Sequence, residues 1–118
     1  MNLTPTEHEE QVALINWCDF HPDRRLKLIY SHLNGIRCNM GTAMKAKASG
    51  AKKGIPDLFL PVPSKDYHGL YIELKRVKGG SLSPEQKEWL AILNENGYLA
   101  VQCKGADAAI ATINNYLN

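Results

Sequence analysis

The sequence predicts an α/β fold: a mixed central sheet of about four strands flanked by helices, in the order α-β-β-β-α-β-α. Three observations predict it. Apolar residues recur at helical spacing near both ends of the chain. Short apolar runs of strand length, bounded by Gly, Pro and Asn, fill the middle. The stretch from Leu70 to Cys103 then reads strand–helix–strand, a unit whose right-handed crossover lays its two strands parallel. At 118 residues the chain has the length of one domain, 1–118, with one core.

The first helix is expected from about Pro5 to Phe20, with Val12, Leu14, Ile15 and Cys18 as its apolar stripe. Thr4 with Pro5 and Glu7, or Thr6 with Glu9, supplies a capping box, and His21-Pro22-Asp23 ends the helix. Leu26 to Leu33 reads as a first strand, closed by the turn Asn34-Gly35. Thr42 to Ala48 is rich in helix formers and predicts a short extra helix before Gly50. Ile55 to Val62 is a second strand with Pro56 at its start, and Leu70 to Arg76 a third. Their short connection predicts an antiparallel hairpin. After Gly79-Gly80, Ser83 is an N-cap, Pro84 the first helical residue and Gln86 the partner in a capping box. Trp89, Leu90, Ile92 and Leu93 form the expected buried side of that helix, and Asn96-Gly97 its end. Tyr98 to Cys103 is the fourth strand and Ala106 to Leu117 the last helix.

Composition excludes some classes. The chain is 44% hydrophobic and 22% charged, as in ordinary globular proteins. No apolar run is long enough to span a membrane. The opening MNLTPTEHEE is polar and acidic, unlike a signal or transit peptide, so a cytoplasmic location is expected. Cys18, Cys38 and Cys103 are odd in number, widely spaced and without a Cys-x-x-Cys pair, which predicts reduced thiols and no zinc. His8, His21, His32 and His68 show no metal spacing either; His32 and Asn34 remain candidates for a place near DNA. Net charge is only +2, but Arg37, Lys45, Lys47, Lys52 and Lys53 occur with no acidic residue among them. That segment reads as a DNA-binding footprint or as a solvated lysine-rich loop.

Three polar residues stand where strands should be apolar. Asp57 opens the second strand, and Glu73 and Lys75 interrupt Leu-Tyr-Ile-Glu-Leu-Lys in the third. Side chains alternate along a strand, so Glu73 and Lys75 share one face. If the hairpin brings Asp57 to that face, two carboxylates and an ammonium converge. Close carboxylates repel, and a divalent cation resolves the conflict; oxygen ligands favour Mg²⁺ or Mn²⁺. Such an ion binds a phosphate oxygen and acidifies a bound water. Lys75 would orient that water or stabilise developing charge. The Leu74 carbonyl, between the two side chains, offers a further ligand. The bland alternative is a surface ion pair beside a turn aspartate.

Gly54-Ile55-Pro56-Asp57, Glu73-Leu74-Lys75 and Ser83-x-x-Gln86 together resemble the virus-type replication-repair nuclease (VRR-NUC) family of the PD-(D/E)XK superfamily. Asn34-Gly35 with Arg37, Lys52-Lys53, Trp89 and Gly97 extend the resemblance over nearly the whole chain from Glu7 onward. The element order agrees with that superfamily's restriction-endonuclease-like core. The resemblance implies a metal-dependent DNA endonuclease, with Asp57, Glu73 and the Leu74 carbonyl on Mg²⁺ or Mn²⁺ and Lys75 as the catalytic lysine. It also implies a first-helix glutamate at the metal site. Glu7, Glu9 and Glu10 compete for that role. On a helical wheel Glu9 faces solvent and Glu10 edges the apolar stripe, so Glu10 is expected, with Glu7 as alternative. Gln86 has two readings: helix cap, and polar contact at the active site. Stand-alone relatives imply a homodimer that cuts Holliday junctions; fused relatives imply flap or other branched-DNA cleavage. A catalytically silent DNA-binding module is the remaining alternative.

Overall fold

The computed structural model describes residues 3–32 and 40–118. Its elements run α1 (Glu7–Phe20), a 3-10 turn (Arg24–Leu28), β1 (Tyr30–Ser31), α2 (Met40–Ala48) and β2 (Leu58–Leu60). Then come β3 (Leu70–Lys75), α3 (Pro84–Glu95), β4 (Leu99–Lys104) and α4 (Ala106–Leu117). The sheet order is β1-β2-β3-β4. β2 is antiparallel to both β1 and β3, and β4 runs parallel to β3. This is the mixed four-stranded sheet that the pattern predicts.

Alternation along the strands decides which side is core. Leu58, Leu60, Leu70, Ile72 and Leu74 are buried and pack with Leu14, Cys18, Leu26, Cys103, Ala109 and Ile113. That puts α1 and α4 on one face. Tyr116 closes this core, its hydroxyl donating to the Val62 carbonyl at 2.6 Å so that the buried phenol is satisfied. α3 lies on the other face, against β4. Both capping boxes form. Thr6 pairs with Glu9 at the start of α1, and Ser83 with Gln86 at the start of α3.

Some expectations fail for local reasons. The first strand expected at Leu26–Leu33 shrinks to Tyr30–Ser31, because Asp23 caps a 3-10 turn and holds Arg25 at 2.7 Å. That turn buries Leu26 and leaves Leu28 exposed, whereas a strand would have set both on one face. The second strand shortens to three residues between Pro56 and Pro61, which have no N–H for a ladder. Val12 and Ile92, assigned to buried helix faces, are exposed, since the sheet meets only a narrow stripe of each helix. Residues 33–39, with the Asn34-Gly35 turn, Arg37 and Cys38, lie outside the described residues.

Candidate active site

β2 begins at Leu58, opposite Ile72, while β3 continues past that pair to Lys75. The two strands diverge there, and the open edge of β3 faces Asp57. Glu73 lies on the face opposite the aliphatic core, 1% exposed. Asp57 and Glu73 meet at this fork through reciprocal bonds. The Asp57 amide donates to Glu73 Oε2 at 3.2 Å, and the Leu74 amide donates to Asp57 Oδ2 at 2.9 Å. A strand residue's N–H and C=O point the same way, so the Leu74 carbonyl also faces the fork. His32 steadies the Asp57 segment from β1. Its amide donates to the Asp57 carbonyl at 2.7 Å, and its Nδ1 lies 2.8 Å from the Pro56 carbonyl oxygen.

Gln86 performs both of its candidate roles at once. Its Oε1 accepts from the Ser83 amide at 2.8 Å, completing the α3 cap. That orientation leaves the amide nitrogen free to donate to Glu73 Oε1 at 2.6 Å. Lys75 Nζ lies 3.6 Å from the same oxygen. Burial, and then the charge of Asp57, pushes the Glu73 carboxyl up to about 8 against the pull of Lys75. Burial raises Asp57 as well, opposed by its bond from Leu74. Two carboxyls held this way resist full ionisation unless positive charge arrives.

The two first-helix candidates, Glu10 and Glu7, have different surroundings. Glu10 is buried, but its Oε2 lies 2.8 Å from where a Cβ on Gly105 would stand. Gly105 is the N-cap of α4. Glu7 stands one turn earlier on α1. Burial raises its carboxyl, while Lys75 lowers it and Asp57 raises it.

Lys45 and Lys47 stand on α2, which buries none of its residues. Lys52 and Lys53 are exposed in the following loop, where Lys53 pairs with Glu85 at 3.6 Å. Trp89 Nε1 donates to the Lys53 carbonyl, tying this loop to α3. Gly54 crosses the first turn of α3 so closely that a Cβ would stand 2.7 Å from Glu85, at a φ of +90°. Only glycine fits that crossing, which leads the chain into Pro56-Asp57.

Among the described residues, no group of three or more His, Cys, Asp and Glu side chains is placed to hold an ion. The donor set at the fork still suits one hard cation. Two carboxylates and a backbone carbonyl converge, and Mg²⁺ keeps several of its waters. Asp57, Glu73 and Leu74 are the residues that would hold it.

Fold and site together define a nuclease-type domain. The VRR-NUC domain family matches residues 2–107, and the chain belongs to that family. It is similar to a solved structure described as a VRR_NUC domain protein. The two share 33% identity at a TM-score of 0.84, over 96% of this chain and 88% of the other. No curated protein matches. No helix among the described residues is long and apolar enough to cross a membrane.

Proposed function

We propose that this chain is a structure-selective DNA endonuclease that hydrolyses phosphodiesters with Mg²⁺ or Mn²⁺, working as a homodimer on four-way junctions. The observation that carries the reading is the Asp57–Glu73 pair at the fork of β2 and β3, with Glu73 buried and Lys75 and Gln86 on one of its oxygens. A divalent cation there supplies Lewis acidity for the phosphate and a more acidic water. The protein does the rest. Gln86 and the Asp57 amide fix the Glu73 carboxylate, and the Leu74 amide fixes Asp57. Lys75 Nζ holds positive charge beside the pair, where it can orient the attacking water and offset charge on the phosphoryl oxygens. The basic residues Arg37, Lys45, Lys47, Lys52 and Lys53 are the DNA-binding set, contacting phosphates. Glu7, rather than Glu10, is the first-helix carboxylate of the metal site. Glu7→Gln should therefore weaken Mg²⁺ binding more than Glu10→Gln, read by calorimetric titration.

A junction needs two incisions on opposed strands, and a two-fold dimer presents two such sites. The test sets a four-way junction, a flap and a linear duplex against the protein with Mg²⁺ and with chelator. Mg²⁺-dependent paired incisions in the junction, and a light-scattering mass twice that of the 13.2 kDa chain, are expected. A monomer that prefers flaps would overturn the assembly and the substrate. No cleavage of any DNA would overturn the enzyme.

A further inference from the structure

Three rows of side chains cross the sheet on the face that α3 covers over β4. Tyr30, Phe59 and Tyr71 are direct cross-strand partners on β1, β2 and β3. Their rings touch in sequence: Tyr30 meets Phe59 edge-on at 5.9 Å, and Phe59 stacks on Tyr71 at 4.2 Å between centroids. Tyr98, at the mouth of β4, adds a ring 5.3 Å from Tyr71. One pleat further along the same face come His32, Asp57 and Glu73. One pleat beyond that, Lys75 and Lys104 pair across β3 and β4. The carboxylates thus lie between an aromatic row and a lysine row, each two residues or about 6.6 Å away along the strand.

The aromatic row is separate from the hydrophobic core. Every aliphatic side chain of β2 and β3 turns to the opposite face and is at most 1% exposed. Tyr30 is 49% exposed. Phe59 lies over Gly69, where a Cβ would stand 2.7 Å from its ring, so glycine makes room for it.

We propose that this row is a stacking platform for unpaired nucleobases, so that the strand to be cut is unpaired on the Tyr71 side of the scissile phosphate. The proposal rests on the nuclease reading of the fork. Any base has a π-face, so stacking on Tyr and Phe rings accepts all sequences, and aromatic sheet faces bind single strands in this way. A continuous duplex hides its base faces, whereas bases at a branch point or a tail can leave the stack. The lysine row takes phosphate on one side of the carboxylates, and the rings take bases on the other. The competing occupant is a second copy of the chain. A subunit seated on the row would abut Glu73 and block the approach to the carboxylates. The strands of this face carry no acidic residue besides the site carboxylates Asp57 and Glu73, as a polyanion requires.

The test measures binding in chelator, so that cleavage plays no part. Three DNAs are compared: a blunt duplex, a duplex with a short single-stranded tail, and a four-way junction. 2-Aminopurine sits at the first unpaired position of the tail. The wild-type chain should bind the tailed DNA more tightly than the blunt duplex and quench the 2-aminopurine. Tyr30→Ala should lose about fivefold to 150-fold in affinity for the tailed DNA and leave the blunt duplex unchanged, while Tyr30→Phe stays near wild type. Equal wild-type affinity for tailed and blunt DNA, or no quenching, would overturn the platform. So would a Tyr30→Ala variant that binds the tail normally but falls from dimer to monomer, which would make the row a subunit interface. Cleavage with Mg²⁺ is scored separately, so the nuclease chemistry and the platform can fail independently.

Discussion

The two faces of β3 are made by adjacent residues of one strand and obey opposite rules. Leu70, Ile72 and Leu74 face α1 and α4, where burial removes hydrocarbon from water and stabilises the fold. Tyr71, Glu73 and Lys75 face the other way, and there Glu73 is equally buried although it is a carboxylate. Burial on that side works against the charged form and is tolerated because Gln86, the Asp57 amide and Lys75 surround it. The contrast shows that depth alone does not mark a core residue: one side of the strand buries hydrocarbon and the other buries a carboxyl held by polar partners.

The comparison breaks most sharply if neighbouring positions are truncated one at a time. Glu73→Ala, and likewise Asp57→Ala, should lower the cleavage rate on the order of a thousandfold or more and leave the fold intact. Leu74→Ala should do the reverse. It costs about 2–5 kcal/mol in urea denaturation, and the rate per folded molecule is retained. If Glu73→Ala turned over normally, the polar face would be only a satisfied ion pair.

Gln86 sharpens the contrast because it serves fold and site together. Gln86→Ala should cut activity or metal affinity about tenfold to a hundredfold. It should also remove about 1 kcal/mol of helix capping. Gln86→Glu keeps the capping box but loses the amide donor to Glu73, so the activity loss should persist with the helix stability restored. Normal activity in Gln86→Glu would reduce this residue to a cap.

The polar face should also make stability depend on pH. The Glu73 carboxyl lies near 8 when folded, against 4.5 as its ordinary value. Below about pH 4.5 both states hold the proton. As pH rises towards 8 only the unfolded state releases it, so metal-free stability falls through that window and levels off above it. Mg²⁺ favours the ionised pair, so the rise in Tm that it causes should grow over the same range. Metal-free Glu73→Gln should lack most of this slope. A wild-type Tm that holds flat from pH 5 to 8 without metal would show that burial does not perturb the pair.

The smallest effect belongs to the loop before the fork. Replacing Lys52 and Lys53 by alanine should lower the salt slope of DNA binding by up to about 1.8, with little change in the rate at saturation. An unchanged slope would leave these lysines as solvated charges, with Lys53 serving only its exposed pair with Glu85.

The sequence by itself determined the element types, both helix caps and the βαβ unit. These follow from local periodicity and from Ser, Thr, Pro and Gly at helix ends. It also brought Glu73 and Lys75 to one face, because alternation needs no tertiary information. It did not determine Leu26–Leu28, where Asp23 capped a turn in place of the expected strand. Nor did it settle the first-helix glutamate. A helical wheel shows which side of α1 is dry, but only the packed structure shows Glu10 beside Gly105 and Glu7 within the influence of Lys75 and Asp57. The row Tyr30–Phe59–Tyr71 was equally hidden, since three residues far apart in sequence meet only through strand register. Local chemistry is written in neighbouring residues, whereas a site joining α1, β1, β2, β3 and α3 exists only once packing has chosen their relative placement.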